Sequence, residues 1–271
     1  MITIIGDIGF DIVKYNGRDI KSIGGSAFHT LIGCLCIQKN NPPYFMVSVG
    51  DDFDIKHIED IGGNTQYICV VPNQKTARFI VNYENGKRDM TIEWGATINN
   101  CVSAIDQRIL ASNIIHLTAT IPSKQKDYIV ALKQLGFTGM ISVDVWDQHC
   151  IDYPDVTRSV LDISDIVFMN ADERHILNYE PKDIKKLYVF KQDEKGAICY
   201  YKKTKISSIN CHIDKNRIVD LTGAGDVLAG ALLTQLDIGI DLQDALNTSV
   251  LLATDSIQSF GTEHLLTHKK Y

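Results

Sequence analysis

The stretch Asp220-Leu-Thr-Gly-Ala-Gly-Asp226-Val-Leu-Ala-Gly-Ala-Leu-Leu233 sets two glycines directly before an apolar helical run. The first turn of a helix leaves N–H groups unpaired, and the macrodipole adds roughly half a positive charge there. Gly223, Ala224 and Gly225 add almost no bulk, so an anionic group can approach those amides closely. Asp226 follows with a carboxylate that would repel a statically bound anion and suits a base beside a reacting phosphoryl group. The plainer reading is a turn whose aspartate caps a helix. Two familiar phosphate loops do not fit: GxxxxGK[ST] is absent, and GxGxxG would need Gly or Ala at position 228, which is Leu.

Outward from this segment the chain alternates buried strands with helices. Strands are expected at Ile2–Ile5, Phe45–Val49, Ile114–Leu117, Gly139–Val143, Ile166–Met169 and Leu187–Lys191. Helices are expected from Ser26 to Lys39, from Gly223 to Leu236 and from Leu242 to Gln258. That rhythm predicts an α/β fold with its site at the carboxyl ends of the strands. Between residues 64 and 92 three strands follow one another (66–71, 76–83, 88–92), with Asn85-Gly86 as a hairpin turn, and a second hairpin is expected at Asn16-Gly17. Consecutive hairpin strands do not belong inside a helix-fed parallel sheet, so residues 12–23 and 64–92 are expected to form a small β lid interleaved in one domain spanning 1–271.

At 271 residues the chain can bury a large core without covalent staples. Its seven cysteines, Cys34, Cys36, Cys69, Cys101, Cys150, Cys199 and Cys211, never form CxxC, which argues against a disulfide framework or zinc ribbon and for a reducing, cytoplasmic setting. The opening residues are too short for a signal segment and no run approaches membrane-spanning length. The net charge of -6 disfavours a nucleic-acid partner, leaving a small molecule as the expected ligand.

The segment Asp220–Asp226 resembles the later signature of the ribokinase-like carbohydrate kinases, the PfkB family, approximately D-T-x-G-A-G-D, with Leu221 in place of the frequent Thr. The resemblance implies a three-layer α/β/α fold with a mostly parallel sheet and a β lid. It implies ATP-dependent phosphorylation of a hydroxyl on a small sugar or polyol, with a nucleoside as the alternative acceptor and a non-catalytic relative as a weaker one. Asp226 is then the catalytic base and Gly223, Ala224 and Gly225 the anion hole. Gly6-Asp-Ile-Gly-Phe-Asp11 is similar to the family's first strand, whose aspartate grips substrate hydroxyls, and Gly24-Gly25 to the glycine pair that follows it. Ser26, His29 and Thr120 complete the implied substrate side; His29 stands where many relatives have Asn, and Thr120 near an expected acidic residue. Phe28 is read either as core or as an aromatic beside the sugar.

Asn170-Ala-Asp-Glu173 matches the family's N-x-x-E element, implying Glu173 as a magnesium organiser acting through water. A capping box is the local reading, and the two are compatible. Lys191-Gln-Asp-Glu-Lys-Gly196 resembles the nucleotide-contacting turn, with Asp193 replacing its first glycine, and Phe260-Gly261 resembles a glycine near the purine site. Asp220 and Thr222, with Ser256 and Gly261, fall where relatives carry a monovalent-cation loop, so K+ joins ATP and Mg2+ among the implied ligands. Relatives often pair through their lids, which makes a lid-mediated homodimer an expectation. Lys14, Arg78 and Arg88 are read as solvated edge charges or contacts to a substrate phosphate. His116, His149, His175 and Asp144 show no metal spacing and are read as structural.

Overall fold

A computed structural model describes residues 1–15, 18–84, 87–99, 101–202, 204–210 and 213–267. The strands are β1 (Ile2–Gly6), β2 (Gly9–Tyr15), β3 (Arg18–Gly24), β4 (Tyr44–Gly50), β5 (Ile68–Val71), β6 (Ala77–Glu84), β7 (Lys87–Glu93), β8 (Ile114–Leu117), β9 (Met140–Asp144), β10 (Ile166–Asn170), β11 (Leu187–Lys191), β12 (Ala197–Tyr201) and β13 (Thr204–Ser207). The helices are α1 (Ser26–Ile37), α2 (Lys56–Asp60), α3 (Gln107–Leu110), α4 (Pro122–Gln134), α5 (Asp147–Asp152), α6 (Pro154–Asp162), α7 (Ala171–Leu177), α8 (Ala224–Asp237) and α9 (Leu242–Ser256).

Nine strands form one sheet in the order β13-β12-β11-β10-β9-β8-β1-β4-β5. It is parallel from β11 to β5; β12 alone is reversed, pairing antiparallel with β11 on one side and with β13 on the other. Its strands are apolar on both faces because helices cover both. In β10, Ile166 and Phe168 join the core shared with α1, α8 and α9, whereas Val167 and Met169 face the core beneath α4 and α6. Phe28 is fully buried in the first of these cores, which settles its two readings in favour of packing.

The lid is a four-stranded sheet, β3-β2-β6-β7, in which β2 and β6 pair in parallel between two antiparallel neighbours. Two lid expectations are corrected. The segment near 66–71 forms β5, which pairs parallel to β4 at the edge of the large sheet instead of entering the lid. Asp11 lies within lid strand β2, not at the end of β1. The expected turns Asn16-Gly17 and Asn85-Gly86, and Cys211, lie outside the described residues. The other six cysteines are free.

Helices α1 and α8 cross closely enough to define the site. A Cβ on Gly230 would lie 2.0 Å from the Thr30 carbonyl oxygen, and one on Gly33 2.3 Å from that of Val227. Only glycine permits backbones this near, and the crossing sets the N-terminus of α8 beside the first turn of α1.

Candidate active site

The segment expected to form an anion hole leads into α8. Gly223 adopts φ 79° as the N-cap of α8 and supplies no side-chain cap, so the first amides of the helix stay available. Asp226 lies in that first turn, only partly exposed. Burial pushes its carboxyl up to about 7, and the nearby Asp144 charge adds to this, against opposing pulls from His29 and Lys191. A carboxyl that exchanges its proton near neutrality is matched to general-base work.

Asp11 reaches this region from the lid. Its carboxylate fills the space that a Cβ on Gly24 would occupy, 2.0 Å from Oδ2. His29 Nε2 lies 3.1 Å from Asp11 Oδ2, and its Nδ1 lies 2.9 Å from Thr262 Oγ1, with all three side chains buried. Burial draws the His29 pKa down, but the Asp11 hydrogen bond and the charges of Asp11, Asp226 and Asp220 raise it above its ordinary value.

Three neighbouring strands end on one charged cluster. Asp144 closes β9, Asn170 closes β10 and Lys191 closes β11. Lys191 Nζ lies 2.8 Å from both oxygens of Asp144, and a Cβ on Gly225 would meet that ammonium at 3.1 Å. The ammonium therefore stands against the first turn of α8. Asn170 and Glu173 form a complete capping box: the Asn170 side chain accepts from the Glu173 amide at 2.8 Å, and Glu173 Oε2 accepts from the Asn170 amide at 2.6 Å. Burial lifts the Glu173 carboxyl to about 8, with Lys191 pulling it down and Asp144 pushing it up. Asp144, Glu173 and Asp226 all act on this single ammonium.

A polar and then aromatic wall continues from the glycine pair. Ser26 Oγ lies 2.7 Å from Thr118 Oγ1, and Thr120 follows in the loop after β8, buried with its hydroxyl unpartnered. The Thr120 backbone and the Asp7 charge act on His149, whose pKa burial lowers and whose Nδ1 is also buried without a partner. Trp94, just beyond lid strand β7, stacks on His149 with centroids 6.0 Å apart and planes at 17°. Trp146 meets the same ring edge-on at 4.9 Å. Below this wall, Lys124 Nζ bonds Asp7 at 3.2 Å.

Gly25 takes φ 87° at the N-cap of α1. Gly196 takes φ 77° in the β11–β12 turn beside Ser208, while Gly261, at φ 66°, packs against Ser22 of β3. Asp220 Oδ1 accepts from the Thr222 amide at 3.0 Å, and Thr222 Oγ1 is buried without a partner. Arg78 is occupied by Asp52 at 3.0 Å, and Lys14 is exposed. Asp144, read from sequence as structural, belongs to the charged cluster; Trp94, Trp146 and Thr262 carried no motif at all. No three or more His, Cys, Asp or Glu among the described residues are grouped to hold a metal ion, and no helix among them is long and apolar enough to cross a membrane.

Residues 40–269 match the family described as pfkB family carbohydrate kinase. The chain is 22% identical to the cytidine kinase of Thermococcus kodakarensis over 278 residues, covering 96% of this chain and 97% of the other. Among solved structures it resembles the nucleoside kinase of Burkholderia thailandensis in complex with inosine, at TM-score 0.83 and 15% identity, covering 99% of this chain and 95% of that one. It also resembles a ribokinase II from E. coli in complex with ATP and Mg2+, at TM-score 0.77 and 20% identity, covering 97% and 94%.

Proposed function

From the premise that this chain belongs to the pfkB family of carbohydrate kinases and is a kinase, we propose that it transfers a phosphoryl group from ATP to a sugar hydroxyl of a small molecule, with Asp226 as general base. The observation that carries this reading is a carboxyl with a pKa raised to about 7 in the first turn of α8, beside uncapped amides and the Lys191 ammonium. Asp226 takes the proton of the attacking hydroxyl. The amides of Gly223, Ala224 and Gly225, with Lys191, receive the negative charge that develops on the transferred group. Asp11 accepts hydrogen bonds from other hydroxyls of the acceptor and fixes its orientation. Gly24, Gly25 and Ser26 bring main chain close to the same acceptor.

Magnesium fits as an ion held through phosphate oxygens and water, because Asp144, Glu173 and Asp226 bring oxygen donors to one place while no protein cage is formed among the described residues. When bound it neutralises charge on the phosphates. Glu173 would organise its waters. The unpartnered Thr222 hydroxyl beside Asp220 is the proposed place of a K+ ion. Gly196 and Gly261 are assigned to the nucleotide side by resemblance to the family.

A sugar or polyol is the first reading of the acceptor. A second reading, a nucleoside, is favoured by the aromatic cluster of Trp94, His149 and Trp146, which offers aromatic surface beside buried unpartnered polar atoms on Thr120 and His149. A sugar alone leaves this wall without a stacking partner. The test is ADP release with Mg-ATP over ketoses, aldoses, polyols and nucleosides, beside Asp226→Asn. One acceptor class should turn over and the variant should lose turnover while still binding it; equal rates in parent and variant would refute the base assignment.

A further inference from the structure

His29 touches three separately built parts of the site. Its Nε2 meets Asp11 of the lid, its Nδ1 meets Thr262 of the C-terminal segment, and its ring face lies against Gly223, where a Cβ would come within 2.3 Å of the ring. The Thr262 end is itself fixed, since the residue is fully buried and the preceding Gly261 packs on Ser22 of lid strand β3.

We infer that His29 is a positioning residue that locks the acceptor-gripping carboxylate of Asp11 to the anion-hole glycine Gly223, so that acceptor binding and the phosphoryl site keep one mutual register. The inference rests on the kinase reading of the site. Asp11 Oδ2 is committed to the imidazole, which leaves Oδ1 for the acceptor. A doubly protonated ring donates at both nitrogens, and its two partners are a carboxylate and a hydroxyl that can each accept. The charges facing the ring are Asp11 from β2, Asp220 from the segment before α8 and Asp226 from α8. On the C-terminal turn, Glu263 is paired with His57 at 2.9 Å and His264 bonds the Asp255 carbonyl; on β3, Lys21 points to solvent. The acids therefore favour the imidazolium, and the imidazolium in turn lowers the pKa of Asp226. One ring thus orients the acceptor-gripping carboxylate of Asp11 and helps keep the base ionised.

The experiment measures acceptor KM and kcat against pH in the parent and in His29→Asn, whose shorter side chain cannot span Asp11 and Thr262. Acceptor KM should rise roughly tenfold or more, the worth of one hydrogen bond to a charged group. The parent should lose acceptor affinity at alkaline pH, where the ring deprotonates, and the variant should not. The acid limb of kcat should move to higher pH, because Asp226 loses a stabilising cation. Unchanged KM with both limbs in place would overturn the inference. Should His29→Asn fail to fold, 15N-histidine spectra of the parent decide: His29 should stay doubly protonated above pH 6.5 and lose that property in Asp11→Asn, whereas a ring that is neutral at pH 6.5 overturns it. Absence of ADP release from the parent with every acceptor would remove the kinase reading, yet these spectra would still decide the state of His29.

Discussion

Lys191 Nζ lies 2.8 Å from each carboxylate oxygen of Asp144, on strands separated only by β10. This pair holds the ammonium beside Gly225, within the electrostatic reach of Glu173 and Asp226. A Lys that only neutralised Asp144 would have no reason to stand against the helix that carries Asp226, the proposed base. Lys191→Met keeps much of the side-chain volume and removes the charge. We expect kcat to fall on the order of 10²-fold, as for other groups that stabilise transition-state charge, with a smaller change in acceptor KM. Steady-state kinetics with Mg-ATP checks this, and a kcat within twofold of the parent would detach Lys191 from the reaction.

The raised pKa of Asp226 links activity to stability with opposite signs. As the proposed base it would act only when ionised, so kcat should climb as pH rises through about 7. In the unfolded chain the same carboxyl has a pKa of about 4, so between these values the folded state binds the extra proton. Stability from this group is therefore greatest below pH 4 and declines as pH rises towards 7. Asp226→Asn should remove turnover yet melt higher than the parent at pH 8, with the advantage shrinking at pH 5. Thermal melts at both pH values test it; a variant less stable than the parent at pH 8 would contradict the buried-carboxyl account.

The sequence exposed the parts of this site whose chemistry is local. Gly223, Gly225 and Asp226 lie within one turn, and Asn170 with Glu173 makes a capping box that three-residue spacing alone suggests. Strand positions were legible because helices on both faces force unbroken apolar runs, as at Ile114–Leu117 and Leu187–Lys191. Asp144 was not legible. Its partner is 47 residues away, and nothing within Ser142-Val-Asp144 distinguishes a site carboxylate from a strand-end one. Strand β5 was misplaced for a related reason: a four-residue strand carries no sign of whether its neighbour is a hairpin partner or a parallel strand of another sheet. Trp94 gained meaning only when the lid brought it onto His149.

That aromatic contact separates the two acceptor readings. Trp94→Ala removes the lid's share of the wall and leaves Asp11 and Asp226 untouched. If the acceptor carries a nucleobase, its KM should rise roughly 5- to 100-fold, the range of one lost base-stacking contact, while kcat at saturation changes little. If the acceptor is a simple sugar or polyol, KM should barely move. Calorimetric titration of parent and variant with the active acceptor supplies the same comparison without turnover.

The close crossing of α1 and α8 makes a prediction whose sign local propensity gets wrong. In an isolated helix, replacing a central glycine by alanine stabilises by about 1 kcal/mol. At Gly230 the added methyl would lie 2.0 Å from the Thr30 carbonyl oxygen, a backbone atom that cannot rotate away. Forcing the helices apart in a close-packed interior costs about 1–3 kcal/mol, which outweighs the propensity gain. Gly230→Ala should therefore lower the melting temperature by several degrees. Because α1 carries His29 and α8 carries Gly223 and Asp226, the displacement should also reduce kcat/KM at temperatures where the variant is still fully folded. A variant with raised Tm and normal kinetics would mean that the two helices tolerate a wider separation than their packing implies.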